Sequence, residues 1–387
     1  MTPRDADPWP IQANPGGPVD PGDHIGHEAE VEQVLRSIAG VGSLVIGDRR
    51  MGKTSLLRKV QQILVPEHVV LRISAETDDI ELFARRLLDV LREDSRFADE
   101  LERWDLDVDV SFRGIRLRRR GGDASQQPDG DTDDLFRWAA ARAAPGRLVV
   151  ILDEIAVLAG AIERDRPGGA VEFLRSLRRP RQELDNVAIV LAGSVGLHHA
   201  IPDNAPVNDL HKVRIGPLAI DDAVFLARCL ILGEELAVSD AGAVAQAMAD
   251  ASDSIPYFIH HLAGVAGRSR DILEPAGVVS LRDAALADPD DPWNLRHYRD
   301  RLPLYYSDRH TLAGHILDAY ATADQPLDVP GVMAWLAAVD LDERPSRDDL
   351  LRLVEQLESD HYLRRTGQSD TFASRILRDA WRQMRRI

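Results

Sequence analysis

The sequence predicts an α/β fold built around a parallel sheet that carries a phosphate-binding loop, with helical segments continuing to the C-terminus. Three observations predict it. Gly47-Asp48-Arg49-Arg50-Met51-Gly52-Lys53-Thr54-Ser55 fits G-x-x-x-x-G-K-[ST]. Arg147-Leu148-Val149-Val150-Ile151-Leu152-Asp153-Glu154 is a continuous apolar run ending in two acids, as expected of a strand buried on both faces. Val187 to Leu191 is a second such run, ending in Ala192-Gly193-Ser194.

The loop motif lies where its chemistry needs it. Ser43-Leu44-Val45-Ile46 before it reads as a short strand, and Ser55 to Val60 after it as a helix with one apolar face. Glycines let such a loop turn successive N–H groups inward, and the start of the following helix adds a positive end. Lys53 is placed to reach the β- and γ-phosphates of a nucleoside triphosphate, and the Thr54 hydroxyl to help hold Mg²⁺. Asp153 sits where a carboxylate holds that ion through water, and Glu154 where one polarises an attacking water. Ser194 is placed to sense a γ-phosphate; its spacing fits a plain Gly-Ser turn equally well.

The remaining elements follow in order. Met1 to Gly22 is rich in Pro, Asp and Gly without periodicity and predicts a flexible or loosely draped arm. Val31, Val34, Leu35 and Ile38 mark a first helix, His68 to Ser74 a second strand, and Ile80 to Leu91 an amphipathic helix. Strict alternation from Asp105 to Leu117, with a turn at Arg113-Gly114, predicts a β-hairpin. Gly121 to Thr132 is polar and Gly-rich and predicts a disordered insertion. Towards the C-terminus, Thr311 to Ala323 and Val329 to Ala338 read as helices. Ser346 caps a helix carrying Leu350, Leu351, Val354 and Leu357. His361 to Ala373 forms a hairpin, and Ser374 starts a last, arginine-rich helix.

Composition narrows the class. With 387 residues, two or three domains are expected, and 44% hydrophobic with 29% charged residues is ordinary for a soluble globular protein. The single cysteine, Cys229, excludes an internal disulfide and fits a reducing cytoplasm. No apolar run spans a bilayer, and Met1 to Asp7 lacks the apolar core of a signal peptide, so no membrane contact is expected. A net charge of −17 argues against indiscriminate nucleic-acid binding. The adjacent pairs His198-His199 and His260-His261 point apart in regular structure and make poor metal ligands, and Cys229 lies in an apolar helix as core. Arg175, Arg178, Arg179 and Arg181 read as a solvated helix end, the alternative being an arginine finger for a neighbour.

These residues also carry a family resemblance. Ile25-Gly26-His27-Glu28-x-Glu30 resembles the entry motif of STAND and archaeal-type ATPases, in the additional-strand, catalytic-glutamate P-loop class. The form Gly-x-Arg-Arg-Met-Gly-Lys-Thr-Ser-Leu-Leu is similar to the archaeal-type loop, and Asp153-Glu154, Ala192-Gly193-Ser194 and Pro217-Leu218 continue the match in order. Ser254-Ile255-Pro256 stands where that family carries Gly-x-Pro, and His27 and Ser254 depart from its usual arginine and glycine. The resemblance implies ATP and Mg²⁺ as ligands. It assigns nucleotide contacts to the loop residues Gly47 to Ser55, to Ile25, to Ser194, and to Pro256 near the adenine. It implies a doubly wound P-loop NTPase sheet over residues 23–215, an all-α lid over 216–285 and a winged-helix domain over 286–387.

Three functions then compete. One is an ATP-dependent, slowly hydrolysing switch acting through a protein partner or self-association. Another is an initiator-like ATPase with its winged helix on DNA. The third is a scaffold in which bound nucleotide only completes the fold. The helix in the recognition position carries Asp348, Asp349, Glu355 and Glu358 against Arg347 and Arg352, which opposes close approach to phosphates. Arg364, Arg365, Arg375, Arg378, Arg382, Arg385 and Arg386 could touch a backbone weakly, but the preferred reading is solvated arginines on a winged helix used for intramolecular or protein contact.

Overall fold

A computed structural model describes residues 7–102, 106–111, 114–119, 132–194, 197–201, 205–341 and 344–387. The chain divides into two compact units, one spanning Pro18–Ile215 and the other Gly216–Ile387 together with the N-terminal segment up to Gly17. Among the described residues no helix is long and apolar enough to cross a membrane.

In the Pro18–Ile215 unit the elements are α1 (Glu28–Ile38), β1 (Gly42–Ile46), α2 (Lys53–Leu64), β2 (Val69–Ser74), α3 (Ile80–Glu93), α4 (Ser95–Glu102), β3 (Leu106–Ser111), β4 (Gly114–Arg119), α5 (Thr132–Ala143), β5 (Leu148–Asp153), α6 (Ile155–Asp165), α7 (Gly169–Glu183), β6 (Val187–Gly193) and β7 (His211–Arg214). Five strands form one sheet in the order β2-β5-β6-β1-β7, and every pairing in it is parallel. The apolar runs read from the sequence are its central strands, because helices cover both faces and leave no solvated side. Val149, Val150, Ile151, Ile189 and Val190 are all fully buried. The strand β7 escaped the sequence reading. It is four residues long at the sheet edge and buries only Val213, so it has neither an apolar run nor an alternation long enough to register.

The order puts the C-terminal ends of β5, β6 and β1 side by side, which brings Asp153, Ser194 and the loop after Ile46 to one edge of the sheet. Ligands of open α/β sheets bind at such an edge. The hairpin β3–β4 pairs Leu106 with Arg119 through Ser111 with Gly114, as the alternation predicts. The polar stretch Gly121 to Thr132 lies outside the described residues up to position 131, and α5 begins at Thr132.

The second unit contains α8 (Ile220–Gly233), α9 (Ala241–Ala251), α10 (Pro256–Ala266), α11 (Pro275–Ala287), α12 (Arg296–Asp300), α13 (Leu302–Tyr306), α14 (His310–Thr322), α15 (Val329–Leu336), α16 (Arg347–Ser359), β8 (Leu363–Thr366), β9 (Ser369–Phe372) and α17 (Arg375–Arg385). The two serine caps work as their positions suggest. Ser346 Oγ accepts from the Asp349 N–H at 3.1 Å, and Ser374 Oγ from the Leu377 N–H at 3.0 Å. Leu327 adds a short third rung to the β8–β9 hairpin through paired backbone bonds with Asp370. Cys229 is buried in α8 as core.

Three features go beyond the sequence reading. Residues 9–14 do not hang free. Ile11 is buried, its N–H donates to Cys229 O at 3.1 Å, and the arm packs on the helices of its unit. Composition predicts a flexible or loosely draped arm here, and the helices supply the core against which Ile11 is buried. Second, the segments expected as a lid and a terminal domain lie within one compact unit. Asp253 joins them by accepting from Arg375 Nε and the Ile376 N–H, both at 2.9 Å. Third, Arg181 is not solvated. Its side chain is buried and forks onto Asp209 at 2.9 and 3.2 Å while donating to Pro206 O at 2.7 Å.

Candidate active site

The loop from Gly47 to Gly52 leads directly into α2. Gly52 adopts φ +89°, a left-handed conformation that side chains resist, although a Cβ there would meet no neighbour. The glycine is therefore required by backbone conformation and not by space. No side chain caps the start of α2, so its first N–H groups face the loop, which is the arrangement that accepts a phosphate.

Lys53 is buried, and its Nζ donates to Gly47 O and Asp48 O, both at 2.9 Å, with Glu154 Oε1 at 3.8 Å. Burial pulls its pKa below the usual lysine range, opposed by the charges of Glu154, Asp48 and Asp153. A phosphate would offer better acceptors for that ammonium than two neutral carbonyls do.

Thr54 Oγ1 donates to Asp153 Oδ2 at 2.8 Å. The other oxygen, Oδ1, is buried without a hydrogen-bond partner. Burial raises the Asp153 pKa, followed by the repulsion of Glu154, while the Thr54 bond, Lys53 and Arg72 work against the rise. An orphaned buried carboxylate oxygen beside a hydroxyl is a hard-oxygen donor set, and it suits Mg²⁺. Thr54 and Asp153 are the residues that would hold that ion.

Glu154 starts α6 in a left-handed conformation, φ +58°, which turns it out of the line of β5. Its Oε2 accepts both from the Ser194 N–H at 3.1 Å and from Ser194 Oγ at 2.8 Å. The structure thus brings together Lys53, Thr54, Asp153, Glu154 and Ser194. Ser194 meets the glutamate itself, a contact its spacing did not reveal because it runs between neighbouring strand ends.

The other loop residues divide by environment. Asp48 and Met51 are buried. Arg50 takes φ +72°, and Arg49 pairs with Glu76 at 3.6 Å. Ser55 Oγ accepts from the Val19 N–H at 3.3 Å. Ile25 is buried before Gly26 and His27, both at positive φ, and α1 follows. His24 next to it was not singled out from sequence. Burial, then the charges of His27 and Lys59, lower its pKa to about 4, so it is neutral. Pro256 opens α10 in the other unit.

The parallel sheet with its loop, strand-end acids and following helix decides the fold. It is the fold of P-loop NTPases. A family model described as an AAA domain matches residues 41–201 of this chain. No curated protein matches the sequence. Among solved structures, the Walker-type ATPase PabY2304 of Pyrococcus abyssi is 20% identical with a TM-score of 0.61, covering 98% of this chain and 100% of that one. That likeness extends the shared fold through the helical unit. The Aeropyrum pernix ORC2 protein, in ADPNP–ADP complexes, is 14% identical with a TM-score of 0.41 over 98% of this chain and 97% of its own. A Thermotoga maritima RuvB variant is 12% identical with a TM-score of 0.41 over 93% and 95%.

Proposed function

We propose that this chain is an ATP-binding, slowly hydrolysing switch of the STAND or archaeal-type kind, in which α8–α11 act as lid and α14–α17 with the β8–β9 hairpin as a winged helix. The observation that carries the reading is the engagement of Glu154. One of its oxygens receives both donors of Ser194 and the other faces the Lys53 ammonium. A carboxylate whose two oxygens are engaged this way is not positioned to meet an attacking water. When Lys53 turns from the Gly47 and Asp48 carbonyls to the phosphates of ATP, Glu154 Oε1 loses its cationic neighbour and becomes free to take a proton from water. Turnover then waits on that exchange of partners, which suits a switch better than a motor. Mg²⁺, held by Thr54 and Asp153, would neutralise phosphate charge.

The reading favours a protein partner or self-association over DNA. The arginines of α17, which sequence left available for a phosphate backbone, are largely engaged. Arg385 forks onto Asp318 at 2.6 and 2.8 Å, Arg382 donates to Ala321 O, Arg375 to Asp253, and Arg378 lies 3.7 Å from Asp379.

The test is Glu154→Gln, which keeps shape and hydrogen-bonding reach but cannot take a proton. ATP should bind with parental affinity by calorimetry, while single-turnover hydrolysis falls about 10²–10⁴-fold. Turnover at the parental rate would move the base elsewhere and remove the basis of the switch reading.

A further inference from the structure

The N-terminal segment is fastened twice, once in each unit. In the helical unit, residues 9–14 lie extended along α8 and α10. Trp9 packs edge-on against Phe225, with ring centroids 5.4 Å apart. Ile11 donates its N–H to Cys229 O, and its own carbonyl presses against Gly233, where a Cβ would lie 1.9 Å from that oxygen. Only glycine permits that approach. Gln12 Nε2 donates to Gly233 O, the Ala13 N–H to Glu234 Oε1 at 2.7 Å, and the Asn14 N–H to His260 Nδ1 at 3.3 Å. His260 is buried and its pKa lowered to about 4 by burial, so its ring nitrogen accepts at neutral pH.

The second fastening is on the phosphate-loop helix. The Val19 N–H donates to Ser55 Oγ at 3.3 Å, Pro21 O accepts from Lys59 Nζ at 2.8 Å, and Ile25 is buried. Ser55 immediately follows Thr54, the residue bonded to Asp153. Between the two fastenings lie only Pro15-Gly16-Gly17-Pro18. Four residues reach about 14 Å at full extension, which caps the length of the link.

We infer that Trp9–Ile25 is a strap that carries the state of the phosphate-loop helix to α8 and α10, so that nucleotide exchange changes how firmly residues 9–14 hold their groove. This rests on reading Gly47–Ser55 as an ATP site. Rearrangement around Thr54 and Ser55 shifts the Val19 anchor, and the four-residue link passes that shift on to residues 9–14.

The experiment uses the full chain, with calorimetry for binding and hydrogen exchange for the strap. ADP with Mg²⁺ and a non-hydrolysable ATP analogue with Mg²⁺ should give exchange rates at the Ile11 and Ala13 amides that differ about tenfold. Inserting six Gly/Ser residues between Gly16 and Gly17 should abolish the difference while nucleotide affinity is unchanged. Ala13→Pro, which removes the donor to Glu234, should give fast exchange at Ile11 with either nucleotide. A difference that survives the insertion overturns the strap, as does equal exchange in the parent while calorimetry shows both nucleotides bound. If neither nucleotide binds, the ATP-site reading itself has failed and the strap falls with it.

Discussion

Buried charge is handled in opposite ways around the phosphate loop and in the core of the helical unit. Around the phosphate loop, Lys53 rests on two backbone carbonyls and Asp153 keeps one buried oxygen without a partner. In the helical unit, Asp318 is equally buried, yet it accepts from Trp381 Nε1 at 2.9 Å and from two nitrogens of Arg385. Arg301, also buried, donates to Tyr362 Oη at 2.8 Å and Asp360 O at 2.7 Å and lies over the rings of Tyr298 and Tyr362. Leaving a buried charge poorly matched costs stability, and a ligand that completes the set would recover that cost. The first set is poised for a ligand; the second holds architecture.

Lys53→Ala is the sharpest way to break this contrast. It should weaken ATP binding about 10³-fold by calorimetry, since a charged contact in a desolvated site is lost. Thermal stability should move by no more than about 1 kcal/mol, because the lysine's own burial is unfavourable. An unfolded variant would put Lys53 in the same structural class as Asp318.

Asp318→Ala should do the reverse. It strips Trp381 and Arg385 of their acceptor and should cost about 2–4 kcal/mol in denaturant unfolding, with ATP affinity unchanged. Loss of ATP affinity in a folded variant would show that the helical unit's charges serve the site as well.

This second set was illegible in the sequence for a physical reason. Asp318 and Arg385 are 67 positions apart, and nothing local marks them as partners. The same holds for the arm, whose fit depends on Gly233 more than two hundred residues away. By contrast, the loop motif, the β5 acids and the Ser346 and Ser374 caps are local patterns whose geometry is fixed within a few residues, and they read directly. Ser194 falls between. Its position at a strand end was visible, whereas its bond to Glu154 needed the β5–β6 pairing.

A smaller effect tests the hairpin. Glu358 lies beside Asp370 and Arg365, with Arg365 Nε 3.1 and 3.5 Å from the two carboxylates, and Tyr320 and Glu355 complete the surroundings. Burial, then the bond and charge of Asp370, push the Glu358 pKa up to about 7. The folded chain therefore binds a proton that the unfolded chain releases between pH 4.5 and 7. Stability from this group is full below that window and is lost as pH rises through 7. Solvent screening limits the loss to about 1 kcal/mol. Thermal melts from pH 5 to 8 should show the decline, and Glu358→Gln should flatten it.

The weakest expected effect concerns nucleic acid. With the arginines of α17 bonded inward, charge reversal at Arg382 and Arg385 would report on folding and not on a docking face. Among the described residues near the hairpin and C-terminus, the exposed side chains of Arg364 and Arg386 carry no ion pair. Two phosphates neutralised give a log–log salt slope of about −1.8, against a net charge of −17 that repels the duplex. Duplex binding should therefore be undetectable at physiological salt, and at low salt show a slope no steeper than about −2. Arg364→Glu with Arg386→Glu should erase what remains without lowering the melting temperature. A slope near −5 that survives the double change would mean that the inward arginines swing out, and that α17 is a ligand-poised region after all.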